Sequence, residues 1–335
     1  MASPAGEVGA RASFASLPHA LALNVFARLP VDERARCAAV CRDWRTTLDD
    51  VCLWTRLDLS PASGVRVRMT DAVLLGASGL ARSALTVLDV SDCLYVTHGA
   101  LLAVATVNAG ALIELRACSG AYGELLYDTT EALLRAAPRL RVLDADVSCT
   151  AGQESTRLLR REPPFGPLRV HRLYALCRGL APAEHEAAMT EMAAGVAVHD
   201  TLSSLRLHGA PLHVLAGLDA VVDAVLLRRV PSLELSSSRL TTASAPALAR
   251  LLGGSALTKL HIWNTGQQLL DAPAAALLAD ALRANSTLTT LILEGISFWH
   301  DAADAAGAPR LMVGTALHEV AAQQLVAARA AAAAL

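Results

Sequence analysis

The sequence predicts an α/β chain: a small N-terminal bundle of three helices, then a solenoid with short parallel strands inside and helices outside. Three observations carry this. An apolar triplet, LxxLxL, recurs at a steady spacing over residues 54–298. An apolar segment of helical period follows it unit after unit, as in Ala100-Leu101-Val104 and Ala247-Leu248-Leu251-Leu252. The stretch from Leu17 to Leu59 has a different character, with two of the four tryptophans and three of the seven cysteines.

The repeat comes first because it fixes the architecture. The middle residues of the triplets are Leu57, Leu88, Leu115, Leu143, Leu173, Leu205, Leu233, Leu260 and Leu291, at intervals of 27 to 32 residues. The alternation within LxL puts its apolar residues on one side of a strand. One strand and one helix cannot bury an apolar face alone, whereas stacked neighbours bury a continuous one. Thr97 and Asp271 stand where helix caps are needed, the latter just before Pro273. The expected organisation is a disordered N-terminus at 1–14, a helical module at 15–56 and about nine repeat units over 57–299. A polar, solvated loop is expected near 150–167, around Arg157–Arg161, and an Ala-rich helix or tail at 300–335.

Composition excludes several function classes. Of 335 residues, 53% are hydrophobic, 4% aromatic and 18% charged, so apolar material is ample and disorder is confined to the ends. The net charge of −2 gives no general attraction to nucleic acid or to anionic membrane. The longest stretch free of Asp, Glu, Lys and Arg, Cys93 to Ile113, is broken by polar residues and glycines, so no membrane span is expected. The opening MASPAGEVGARASF lacks the pattern of a secretory leader. Seven scattered cysteines fit a reducing, intracellular compartment, cytoplasmic or nuclear. Cys37 and Cys41 lie four apart without a second Cys/His pair, so they are expected as buried small hydrophobes and no metal site is expected. The motifs GxSxG, HExxH, GxxxxGK[ST] and a strand-to-helix GxGxxG are absent, so neither catalysis nor a cofactor is expected.

In the N-terminal module, Leu17-Pro18 and Leu29-Pro30 bracket a short helix with Leu21, Val25, Phe26 and Leu29 at helical spacing. Asp32 is placed to cap the next helix, and Cys37, Val40, Cys41 and Trp44 line its apolar stripe. Val25-Phe26, Val40-Cys41-Arg42-Asp43-Trp44-Arg45 and Leu53-Trp54 complete an ordered set that resembles the F-box. The repeats from 54 to 298 resemble leucine-rich repeats. LTVLDVSDCLYVTHGALLAVA is similar to the cysteine-containing subclass, and the units around Leu260 to the ribonuclease-inhibitor type. In this family a side chain five residues past the anchor bonds the turn backbone, a role that Cys93, Ser238 and Thr265 suit.

The F-box resemblance implies docking to the Skp-type adaptor of a cullin–RING ubiquitin ligase. It implies Leu17, Pro18, Phe26, Leu29, Pro30, Val40 and Trp44 as the residues that pack against the adaptor or support that packing, with Leu17, Pro18, Phe26 and Leu29 exposed. The repeat resemblance implies a concave face built from the non-leucine strand positions. Early units offer Asp89, Ser91, Glu114, Arg116, Asp144 and Asp146. Middle and late units offer Arg172, Tyr174, Arg206, His208, Glu234, Lys259, His261 and Trp263, so acidic character gives way to basic and aromatic character. Arg172, Tyr174, Arg206, His208, His261 and Trp263 are the candidate target-binding residues. The function implied is that of a non-catalytic substrate receptor of an SCF-type ligase binding an unknown protein. The alternative is a repeat scaffold whose N-terminal module is only a cap.

Overall fold

The computed structural model of the chain describes residues 17–65, 68–118, 124–177, 182–210, 215–238, 241–254, 256–303 and 309–312. The chain divides into two compact units, Met1–Ala117 with Ala136–Arg141, and Cys118–Arg135 with Val142–Leu335. Of the Ala-rich segment expected at 300–335, residues 304–308 and 313–335 lie outside the described residues, as does the expected disorder of 1–14.

The first unit opens with three helices, α1 (His19–Ala27), α2 (Val31–Cys37) and α3 (Arg42–Leu48). Pro18 and Pro30 stand immediately before α1 and α2, where a missing N–H removes no helical bond. Strand β1 (Arg56–Asp58), helix α4 (Asp71–Leu80), β2 (Val87–Asp89), α5 (His98–Val107) and β3 (Glu114–Ala117) follow. The three strands pair in parallel, with Leu57, Leu88 and Leu115 in one buried row.

Polar side chains tie several layers to their neighbours. Thr86 donates to the Thr55 carbonyl through its N–H and its hydroxyl (2.7 and 2.8 Å). Thr258 does the same to Pro231, Thr289 to Thr258, and Ser203 to His171. Each of these residues lies two before an anchor leucine, so the position is a rung between layers that leucine spacing alone does not reveal. The Cys93 thiol donates to the Leu59 carbonyl of the preceding unit at 3.3 Å, the turn-bonding role expected of it. Thr97 Oγ1 accepts from the Ala100 N–H and Asp271 Oδ1 from the Ala274 N–H, so both cap their helices as the sequence predicts.

The second unit holds β4 (Leu125–Leu126), α6 (Tyr127–Ala136), β5 (Val142–Thr150), α7 (Gln153–Leu159) and β6 (Leu168–Leu176). Then come α8 (Pro182–Val198), β7 (Ser204–His208), α9 (Leu215–Arg228), β8 (Ser232–Ser238) and α10 (Ala245–Gly253). Strand β9 (Lys259–Leu270), α11 (Ala272–Ala284), β10 (Thr290–Ala303) and β11 (Pro309–Met312) complete it. Leu173, Leu205, Leu233, Leu260 and Leu291 share one row.

Three expectations are corrected here. Leu143 pairs with Leu168 and Val147 lies opposite Leu173, so these two anchors do not share a row, and β6 carries His171 as an extra residue between the paired Val170 and Arg172. Residues 150–167 are not a solvated loop: they include α7, with Leu158, Leu159 and Phe165 buried. Arg157 points inward enough to donate to the Tyr127 hydroxyl at 2.8 Å. At the far end, β10 runs on to Ala303 and pairs antiparallel with β11, so strand structure passes the expected limit at 299.

Thin layers demand small residues where helices meet. A Cβ on Gly195 of α8 would stand 3.0 Å from the Leu159 Cβ of α7, tighter than ordinary side-chain contacts, so the helices would have to give way slightly. At the end of α8 the His199 ring is buried, and its Nδ1 accepts from the Thr201 N–H. Burial, with a smaller contribution from Arg161, lowers its pKa from 6.5 to about 4. The unfolded chain therefore binds the proton between those values and the folded chain does not, so stability is full above pH 6.5 and falls toward pH 4. At 1.4 kcal/mol per unit this is a loss of about 3 kcal/mol. Chemical denaturation at neutral and acid pH is expected to show a smaller acid loss in His199→Asn, which keeps an acceptor for Thr201. Equal losses in the two proteins contradict the assignment.

Candidate functional site

Two surfaces come from the residues singled out in the sequence, one in each unit. The first is the outer side of the N-terminal helices. Helix α1 is apolar on two sides. Ala22 and Phe26 turn inward, and Phe26 is 1% exposed with its ring edge-on to Trp44 at 5.4 Å. Leu17, Leu21 and Val25 recur every fourth residue and form an outward stripe, with Leu21 50% exposed. Pro18 is exposed as well, whereas Leu29, Pro30 and Trp44 are half-buried.

This arrangement corrects the expectation for Phe26, which is core and not surface. Leu21 and Val25 take its place outside. The expected stripe of Cys37, Val40, Cys41 and Trp44 is also broken, because α2 ends at Cys37 and α3 starts at Arg42. Val40 falls between them and is 64% exposed, adding to the apolar surface. Cys41 is exposed and Cys37 half-buried, so neither is a buried small hydrophobe. Asp32 is not the cap of α2 but lies in its first turn, 2.6 Å from the Arg36 guanidinium.

Arg34 was not singled out in the sequence, yet it holds the module's corners together. Its buried guanidinium donates to the Leu29 carbonyl at 3.0 Å and to the Leu53 carbonyl, and lies 5.6 Å from the Trp54 ring centroid. Burial lowers its pKa, but a guanidinium keeps its charge. Trp54 is buried and donates its indole N–H to the Leu48 carbonyl at 2.7 Å. The end of α1, the end of α3 and the entry to β1 thus share one set of contacts.

The second surface is the strand face of the second unit. Strand register aligns Tyr174, Arg206, Glu234 and His261 in one row, and His208, Ser236 and Trp263 in the next. Arg206 lies over the Tyr174 ring at 5.4 Å and makes a 2.9 Å ion pair with Glu234. His261 is 3.9 Å from the same carboxylate, and His208 shares a 3.0 Å hydrogen bond with Ser236. Tyr174 and His208 stand with ring centroids 5.9 Å apart. Arg172 is exposed, 3.9 Å from Asp146, whose side chain is almost wholly buried. The expected shift to basic character is therefore compensated by acids on adjacent strands. In the first unit Arg116 bonds Glu114 at 2.7 Å and approaches Asp89. Trp263 stands apart, 47% exposed on this face.

Among the described residues no cluster of three His, Cys, Asp or Glu side chains is arranged to hold a metal ion. No described helix is long and apolar enough to cross a membrane.

Known proteins match this geometry in part. The family model described as F-box-like matches residues 14–60, which hold α1 to α3 and the entry to the first repeat. The chain thus joins a module that matches the F-box-like family model to a series of strand–helix units with leucine anchors in register. F-box/LRR-repeat protein 12 of Bos taurus is 43% identical over 49 residues, and its Homo sapiens counterpart 39% over 49. Each alignment covers 15% of this chain, and this chain spans 15% of the length of either relative. Among solved structures, the leucine-rich repeat-containing protein LegL7 from Legionella pneumophila is 17% identical, with a TM-score of 0.32, covering 78% of this chain and 88% of that one. That likeness is too loose to add weight to the repeats, which stand on their strand register.

The F-box-like module separates buried from exposed apolar residues, and this can be measured. Phe26→Ala is expected to lower stability by about 3–5 kcal/mol, the range for emptying a buried aromatic site. Leu21→Asp is expected to change it by no more than about 0.5 kcal/mol. Denaturant titration of both variants checks this, and a large loss from Leu21→Asp refutes the exposed stripe.

Proposed function

We propose that this chain is the substrate-recognition subunit of an SCF-type cullin–RING ubiquitin ligase. The observation that carries the reading is the outward apolar stripe of Leu17, Leu21 and Val25, with Val40, on a module matched to the F-box-like family. A helix with a second apolar face leaves that face to a partner. The partner is a Skp-type adaptor and, through it, a cullin scaffold. Leu17, Pro18, Leu21, Val25, Leu29, Pro30 and Val40 form the contact, and Phe26 and Trp44 hold it in shape from beneath.

The repeats bind a target protein. Trp263 supplies the exposed aromatic anchor, on a strand face that also carries Arg172, Tyr174, Arg206, His208 and His261. The chain performs no covalent chemistry of its own. It raises the local concentration of the target beside the ubiquitin-loaded enzyme, and the rate gain is one of proximity. Such a complex works in the cytoplasm or nucleus.

Co-purification with a Skp-type adaptor tests the reading. The wild-type chain is expected to hold the adaptor through gel filtration, Leu21→Asp with Val25→Asp is expected to lose it, and Trp263→Ala to keep it. A folded wild-type chain that fails to bind overturns the ligase role.

A further inference from the structure

Of the 29 cationic Lys and Arg side chains in the sequence, 28 are arginine and one is lysine, Lys259. Some arginines are used for their planar fork, which lysine cannot reproduce. Arg34 reaches two carbonyls, and Arg250 bridges Asp219 and Asp223. Others are not. Arg135 and Arg283 lie exposed on α6 and α11, each in a simple pair with an acid three or four residues earlier. Lysine serves equally well in such pairs. Local structure therefore does not account for arginine at every position.

What distinguishes the two residues is nucleophilicity. The lysine ε-ammonium can give up a proton to become a nucleophilic amine, whereas the guanidinium stays protonated and delocalised. In ubiquitin transfer, the free amine attacks the thioester carbonyl that joins the ubiquitin C-terminus to a conjugating-enzyme cysteine. The new C–N bond forms, the C–S bond breaks, and the leaving thiolate takes up the proton the amine sheds. No oxidant or reductant is needed. A chain whose cations are arginines offers this reaction almost nothing.

We infer that Lys259 is the one side-chain acceptor through which this protein can be ubiquitinated, and that its arginine-only surface otherwise spares it from the ligase it serves. The inference rests on the ligase reading above. Lys259 opens β9 as an exposed residue, on the same strand face as His261 and Trp263, alternating with buried Leu260 and Ile262. No ion pair or hydrogen bond among the described residues engages its ammonium group.

The test is a reconstituted ubiquitination reaction on the full 335-residue chain, with the Skp-type adaptor, a cullin–RING core and lysine-free ubiquitin, so that each conjugate counts one site. The wild type is expected to take one ubiquitin, mapped to Lys259 by mass spectrometry, and Lys259→Arg to take none. Arg135→Lys with Arg283→Lys is expected to raise the number of modified sites from one to three. Conjugation elsewhere that persists undiminished in Lys259→Arg overturns the inference. So does a lysine-enriched variant no more modified than wild type while the adaptor complex is intact. Loss of the adaptor complex itself, read by gel filtration of the same mixture, overturns the ligase reading and the inference with it.

Discussion

Each repeat layer is completed by its neighbour, and the rest of the structure follows from that dependence. A single strand and helix leave one apolar face bare and one row of backbone carbonyls unbonded. The anchor leucines answer the first need by packing in rows, as Leu173, Leu205, Leu233 and Leu260 do. The Thr and Ser residues two before the anchors answer the second by bonding the preceding layer twice. Layers must then lie close, which explains the small residues on helices and the tight approach of Gly195 to Leu159.

Stacking uses up the inward side chains and leaves function to the outward ones. On the strand face of the second unit, charges on adjacent strands cancel in pairs such as Arg206 with Glu234, so the exposed ring of Trp263 becomes the prominent feature. In the first unit the N-terminal module buries Trp54 and Leu57 at the entry to the first strand. Arg34 fastens that junction through backbone carbonyls. Because Phe26 and Trp44 fill the inside of the module, the stripe on α1 is left over, and a leftover apolar stripe is what a docking subunit needs.

Much of this was legible in the sequence, and the failures have physical causes. The anchors predict the paired rows well except at Leu143, where the period-two pattern continues through Val147 and it is Val147 that lies opposite Leu173. The segment around Arg157 looked like a loop because its polar residues outnumber its apolar ones, yet Leu158, Leu159 and Phe165 suffice to bury one side of a short helix. Leu21, Val25 and Phe26 all fit a helical spacing. Only packing decides which of two neighbouring stripes turns inward. The charge pattern of the strand face misled for a related reason: opposite charges far apart in sequence meet only once register is known.

We propose a division of labour in which α1 to α3 take the adaptor and the strand face of the repeats is left for a target. Hydrogen–deuterium exchange on the whole chain, with and without a Skp-type adaptor, tests it most directly. Slowed exchange is expected across residues 17–48, with unchanged exchange across 204–263. Protection that appears in the repeats, with none in the N-terminal helices, would contradict it.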